Sequence, residues 1–401
     1  MSKLPVFYKL PSTKSAFFNE LNKSSRLKSI WSYRESSSIN ASNTLPVTIQ
    51  SKQEIFNTVV EQYPDKKGVN LKLKQFTTYA KSIFGFYKTG IKNVWYNHST
   101  LRTLRKDFYL NNVDHHGKEA KIRIPSFIKL TEVMSQRIFM EKIELETYEK
   151  TTKNDIKKEV KKEDASSQLF NLTREQFQLY KRTPEDFYKI PLFALVCIVF
   201  EEFTPIICYV IPEITPSTCI LPQILPRVWN PHGILKLKEL NQELTEEEMI
   251  DLSSKTSYNL DIQHVRLLCQ SLRLVSRYTP VSMYPESYLR GKLQQYYNYL
   301  VIDNYYLSGL NNDGNLWNLT NQELILACLE RNLIQDIVYD TKMFNQISDP
   351  IQKKMFEDKY MNKLRVKLFQ FLVDFPNFNI GYLGVNHVIP RQEEVDIVKW
   401  R

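Results

Sequence analysis

Hydrophobic positions recur along this chain at helical spacing and seldom alternate. Ile55, Val59 and Val60 share one helical face, as do Val265, Leu268, Leu272 and Val275, and again Leu364, Leu368, Phe371 and Leu372. Only 10 glycines interrupt 401 residues, and helix-forming Leu, Lys, Glu and Gln are abundant. The pattern predicts an all-α architecture. Thr245 with Glu248, and Thr320 with Glu323, read as capping boxes that start helices. Pro212, Pro216, Pro222, Pro226 and Pro231 forbid a continuous helix between them.

One stretch departs from this amphipathic pattern. Residues 190–212 form the only strongly apolar run, long enough as a helix to cross roughly 30 Å of hydrocarbon. Glu201, Glu202 and Pro205 interrupt it. Its Leu, Ile, Phe and Val side chains favour insertion by roughly 4 to 7 kcal/mol, against about 5 to 7 kcal/mol for two ionised glutamates. Apolarity therefore leaves two readings open, a Pro205-kinked transmembrane helix and a buried helical hairpin.

Composition and charge narrow the class. A 42% apolar chain can bury a sizeable core. The net charge is +10, yet residues 1–128 hold 21 Lys/Arg against 8 Asp/Glu, so the basic excess is N-terminal. Residues 1–34 interleave seven Lys/Arg with phenylalanines, leucines and serines around the single acid Glu20, which is transit-peptide chemistry. A disordered basic tail is the plainer reading of the same residues. Residues 141–164 are 15 charged residues in 24, a solvated helix or linker. The five cysteines form no C-x-x-C pair and read as buried reduced thiols, and His115-His116 has no cysteine nearby to complete a metal site. Phosphate-loop, dinucleotide-fold, zinc-protease and nucleophile-elbow motifs are absent, so the sequence offers no catalytic residues, cofactor or metal site.

Several spaced motifs resemble the Letm family, mitochondrial leucine-zipper EF-hand transmembrane proteins with a ribosome-binding domain. They are Tyr87-Lys88-Thr89-Gly90-Ile91-Lys92 through Trp95, Leu172-Thr173-Arg174-Glu175, Arg182-Thr183-Pro184, Asp186, Ile190-Pro191, Pro205, Pro212 and Thr215-Pro216-Ser217-Thr218. A second group is Leu289-Arg290, Leu293, Asp303, Leu307, Leu319-Thr320, Glu323-Leu324, Ala327-Cys328, Arg331 and Leu333, with Asn304 and Asn332 standing where the family has a second acid and a glycine. No calcium loop or sustained heptad follows. The helix carrying Trp95, Tyr87, Tyr96, Lys88 and Lys92 suits a membrane surface, or equally a solvated cationic face.

The resemblance implies a helical bundle with one Pro-kinked transmembrane helix and a C-terminal Letm-type ribosome-binding domain. The expected segments are 1–43 transit peptide and linker, 44–140 N-terminal helices, 141–171 charged insertion, 172–212 entry motif and span, 213–375 matrix domain, and 376–401 tail. It implies a non-enzymatic protein of the mitochondrial inner membrane, its C-terminal domain facing the matrix, that binds the mitochondrial ribosome and supports insertion or translation of membrane products. Cation/proton exchange through the intramembrane acids Glu201 and Glu202 is the alternative, and a soluble helical scaffold a third. Partners expected are the ribosome through rRNA or a ribosomal protein, inner-membrane lipid, insertion machinery and a second copy, but not DNA. Arg266, Arg273 and Arg277, at i, i+7 and i+11, would form a charged helical face, joined by Arg290, Lys292 and Arg331 as candidate rRNA contacts. An ordinary solvated face is the plainer reading.

Overall fold

The computed structural model describes all residues except 1–5, 33–35, 37, 66, 108, 114–118, 124–125, 153–169, 201–202, 390–394 and 396. Among the described residues sixteen α-helices run in chain order: α1 (Lys14–Lys23), α2 (Ser25–Trp31), α3 (Lys52–Gln62), α4 (Val69–Asp107), α5 (Phe127–Thr152), α6 (Arg174–Phe200), α7 (Thr204–Val210), α8 (Leu225–Trp229), α9 (Ile234–Asn241), α10 (Glu246–Ser254), α11 (Ile262–Ser271), α12 (Glu286–Leu307), α13 (Asn321–Leu329), α14 (Ile337–Gln346), α15 (Pro350–Asp374) and α16 (Tyr382–Val385). The helical expectation holds, with one addition: β1 (Tyr109–Val113) pairs with β2 (Glu119–Arg123).

The chain divides into two discontinuous units rather than the consecutive segments expected. The first comprises residues 1–40, 110–175 and 229–401, and the second 41–109 and 176–228.

The core of the first unit is centred on α12, α13 and α15, and its polar centre is a buried ion network. Arg174, at the start of α6, donates from Nε to Asp303 (2.7 Å) and from Nη1 to the Ile39 carbonyl (2.7 Å) and Glu323 (3.3 Å). Arg331 donates to the other oxygen of Asp303 (2.6 Å), to Asn304 Oδ1 (2.9 and 2.8 Å) and to the Ala327 carbonyl (2.8 Å). All four charged side chains are fully buried. Burial alone would raise the Asp303 pKa, but the two guanidiniums outweigh it and hold the carboxyl well below the usual carboxylate range. Glu323 illustrates how tertiary context redirects a local motif. Thr320 caps its backbone N–H (3.4 Å) as the sequence predicts, while the Glu323 side chain pairs with Arg174.

Both chain ends lie within this core. Phe7, Leu10, Phe17, Leu21, Leu27, Ile30 and Trp31 are buried. Phe17 meets Trp31 (centroids 4.7 Å) and Phe369 (5.9 Å), and Trp31 meets Trp317 (5.2 Å). The Tyr8 N–H and the Tyr382 hydroxyl each donate to Asp374 (both 2.7 Å). The segment read as transit peptide and linker is thus a structural part of the first unit, and any targeting role must leave it in place for this core to form. Residues 376–401, read as a tail, contribute buried Phe378, Ile380, Tyr382, Leu383 and Ile397.

The transmembrane expectation is corrected. Among the described residues no helix is long and apolar enough to cross a membrane. α6 runs through Pro184 and Pro191 as far as Phe200, the last described residue before Glu201, and Pro205 lies in the first turn of α7. Proline is tolerated there because its missing N–H would have no partner in a first turn. Glu201 and Glu202 lie outside the described residues.

Within the second unit α4 and α6 run antiparallel. Tyr87 meets Phe193 (5.8 Å), His98 stacks on Phe187 (3.7 Å) and Arg105 lies over Tyr180 (4.8 Å). Gly90 permits the close approach of residues 217–219, because a Cβ there would lie 2.6 Å from Cys219 Sγ and 2.9 Å from the Thr218 carbonyl. Asp186, almost fully buried on α6, accepts from the Ser217 N–H at 2.8 Å. Burial pushes its pKa up to about 6, against the lowering effect of that bond and of Lys189.

Three predictions follow from this packing. Arg331→Met removes one of the two guanidiniums on Asp303 and the donor to Asn304 Oδ1, and denaturant unfolding should show a loss of about 3–5 kcal/mol; Arg331→Lys should rescue little, since a point charge cannot replace the fork of bonds. A chain lacking residues 1–43 should lose the cooperative unfolding transition of the first unit in a thermal melt. Asp186 binds its proton more tightly folded than unfolded, so its contribution to stability is full below pH ~4 and is lost as pH rises through about 6, a change of about 3 kcal/mol. Unfolding measured from pH 4 to 7 should show that slope in the native chain and a flatter profile for Asp186→Asn.

Candidate functional site

The second unit exposes an apolar surface that its own core does not use. On α6, Phe193 and Val196 face inward, while Tyr188, Leu192, Leu195 and Val199 are exposed at i, i+4, i+7 and i+11, one stripe about 60° wide. Ile198, at 74% exposure, widens it. α7 repeats the arrangement: Thr204 and Cys208 are buried, while Phe203 (63%), Ile206 (59%), Tyr209 and Val210 are exposed. With Phe200 and Ile211, ten large apolar side chains within residues 192–211 are each at least 42% exposed. A concentration of this kind marks an interaction surface rather than ordinary scatter.

Beneath this face lies a layer of thiols and hydroxyls. Tyr87, Thr204, Thr215, Cys208 and Cys219 are buried. Burial pushes the Tyr87 phenol and the thiols up, Cys219 to about 12. Protonated thiols in such surroundings are inert packing groups. No disulfide joins the five cysteines, and among the described residues no cluster of three or more His, Cys, Asp or Glu side chains is arranged to hold a metal ion.

α4 supplies charge and aromatic groups beside α6. It carries eight Lys/Arg, and its one acid is its last residue, Asp107. Lys81, Lys88, Lys92 and Lys106 fall within about 40° of one another on an exposed face. Trp95 (66% exposed) and Tyr96 flank that face, and Trp95 lies 6.1 Å from Phe187, next to exposed Tyr188. A groove of about 300 Å³ between residues 47–50 and α4, lined by Gln50, Ser82, Phe86 and Thr89, holds no titratable group.

The basic residues expected to form a contact face are not brought together. α11 ends at Ser271, and Arg273 follows at φ 56° in left-handed conformation, so Arg266, Arg273 and Arg277 do not share a helix. Arg277 instead lies over Tyr278 (4.9 Å) and donates to its hydroxyl (2.7 Å), and Lys292 sits over Tyr288 (5.6 Å). Arg290 is used structurally. It donates to the carbonyls of Ser257, Tyr258 and Leu260 (2.6, 3.0 and 2.9 Å) and pairs with Glu286 (2.7 Å). Arg331, expected to be an exposed contact, is fully buried. His115 and His116 lie outside the described residues. The sequence reading missed Tyr209 and Arg227 of the second unit. The apolar run that contains Tyr209 was visible, but Arg227 sits in a Pro-rich stretch with no periodicity to mark it.

Comparison with known proteins corrects the resemblance. The pentamidine resistance factor domain matches residues 39–309, more than half of the chain, and no Letm domain matches. Arg174, Asp303, Glu323 and Arg331, which carried much of the resemblance, are the buried ion network, so they report on helix packing and not on a ribosome contact. Ribosome binding and cation/proton exchange rested on that resemblance and are withdrawn with it. Neither a curated protein nor a solved structure matches the chain. The matched domain suggests a mitochondrial protein. By the length of that match, the chain belongs to the pentamidine resistance factor family.

Proposed function

We propose that this is a membrane-attached, non-catalytic mitochondrial protein whose second unit lies on the bilayer through the exposed face of α6 and α7. The observation that carries the reading is that apolar face, with ten large side chains open between residues 192 and 211. Trp95, Tyr96 and Tyr188 supply the amphipathic aromatic groups favoured at headgroup depth. Attachment rather than catalysis agrees with the chemistry of the first unit, whose buried charged groups Arg174, Asp303, Glu323 and Arg331 are occupied with one another. The membrane proposed is the inner one, toward which an acid-poor basic N-terminal region suits import.

The register of α4 on α6 favours attachment by the side over insertion end-on. With Tyr87 level with Phe193, Lys81 lies level with Val199, six residues back along α4 and six residues on along the antiparallel α6. α3, with Glu54 and Glu61, packs on the same half of α4 through Phe56 and Tyr79 (6.3 Å). Driving the tip of α6 into hydrocarbon would carry these charges with it, at roughly 2.5–3.5 kcal/mol each. A helix face lying in the interface, sunk about 5–10 Å, avoids that.

The full chain should therefore float with phosphatidylcholine vesicles, yet be released from mitochondrial membranes by alkaline carbonate. Leu195→Gln/Ile198→Gln/Ile206→Gln should weaken vesicle partitioning by on the order of 100-fold, since each exposed side chain contributes about 1 kcal/mol. Retention in the carbonate pellet, or unchanged partitioning of the triple variant, overturns the reading.

A further inference from the structure

The apolar face has a cation at its margin that the fold leaves largely unused. Arg227, on α8, is exposed, and its Nη1 donates to the Tyr209 carbonyl at 3.2 Å. The guanidinium lies 4.6 Å over the Tyr209 ring. Tyr209 is itself half exposed, one helical turn from Ile206 and next to Val210 and Ile211. Arg227 makes no ion pair among the described residues, and its other N–H groups find no protein acceptor there. The protein thus fixes the plane of a guanidinium at the edge of an apolar face while using one of its five donors.

We infer that Arg227 binds the phosphate of an anionic phospholipid headgroup at the margin of the face formed by α6 and α7. This rests on the membrane-attached reading and adds a lipid preference to it. Three chemical features point to a lipid phosphate. A guanidinium presents paired donors that match two phosphate oxygens, which an ammonium cannot do. Stacking on Tyr209 holds the fork in one orientation, so less freedom is lost when the phosphate arrives. A tyrosine flanked by Ile206, Val210 and Ile211 sits where acyl chain meets headgroup, so a cation stacked on it lies at the depth of the phosphates. A free phosphate ion would gain nothing from the adjoining apolar side chains, and the lipid is therefore the source favoured.

The test is flotation of the full chain with phosphatidylcholine vesicles and with phosphatidylcholine/phosphatidylglycerol vesicles, at one ionic strength, for the native chain, Arg227→Gln and Arg227→Lys. Native protein should partition more strongly onto the anionic vesicles. Arg227→Gln should lower that anionic increment about fivefold, the factor for one basic residue at a charged surface, while leaving partitioning onto neutral vesicles unchanged. Arg227→Lys keeps the charge but loses the fork, and should fall between the two. Absence of any anionic increment in the native chain, or an increment untouched in Arg227→Gln, overturns the headgroup contact while leaving membrane attachment standing. An equal loss on both vesicle types assigns Arg227 to holding Tyr209 in place, and also overturns it. Inorganic phosphate added at matched ionic strength should not displace the protein from anionic vesicles; displacement would make the ligand free phosphate rather than lipid. If the native chain floats with neither vesicle, the attachment reading itself fails.

Discussion

Asp303 ties together parts of the first unit that are distant in sequence. Its two oxygens accept from guanidiniums that originate 129 residues before it and 28 residues after it. Each arginine then continues to further partners: Arg174 to Ile39 and Glu323, and Arg331 to Asn304 and Ala327. Charges this deeply buried are tolerated only when nearly every donor and acceptor is matched, so the network permits little variation in how α12, α13 and the start of α6 meet. Around it the aromatic side chains of both chain ends close the core, Phe17 and Trp31 from one end and Phe378 and Tyr382 from the other.

The second unit answers to a different constraint. Its interior sets buried hydroxyls and thiols beside Phe86, Phe177, Tyr180 and Phe193, with Gly90 allowing close contact to residues 217–219 and Asp186 capturing the Ser217 N–H. Ten large apolar side chains between residues 192 and 211 are nonetheless exposed, which for a protein in water alone would be a liability. The two units therefore divide the chemistry, one burying its hydrophobic and charged groups together and the other presenting an open apolar face. A bilayer surface is the environment in which that second arrangement is favourable, and the basic and aromatic residues of α4 and the Arg227–Tyr209 pair are the groups expected near such a surface.

The residues that resembled a ribosome-binding family are instructive in this light. Leu172, Arg174, Asp303, Glu323 and Arg331 are spaced in a way that invites a functional reading, yet each is buried. Asn332 stands where that family has glycine and adopts φ 54°, a left-handed conformation that Asn tolerates better than most residues. These positions are specified by backbone geometry and charge pairing. A pattern of polar residues dictated by packing can be shared between helical proteins without a shared partner, which is why the family match over residues 39–309 and the motif reading part company.

Sequence by itself determined the helical class, because the apolar spacing of Val265, Leu268 and Leu272 or of Leu364, Leu368 and Phe371 is a local property, and it marked helix starts such as Thr245 and Thr320, whose hydroxyls accept from the backbone N–H three residues on. It also located the apolar run. It could not say whether that run crosses a bilayer, since the answer depends on where α6 stops and on the charged helices packed beside it. Nor could it show that Arg331 is buried, that Arg273 lies beyond the end of α11, or that the basic N-terminal segment is core. The last of these depends on partners hundreds of residues away, such as Phe369 for Phe17 and Asp374 for Tyr8, and pairings at that distance leave no period in the sequence.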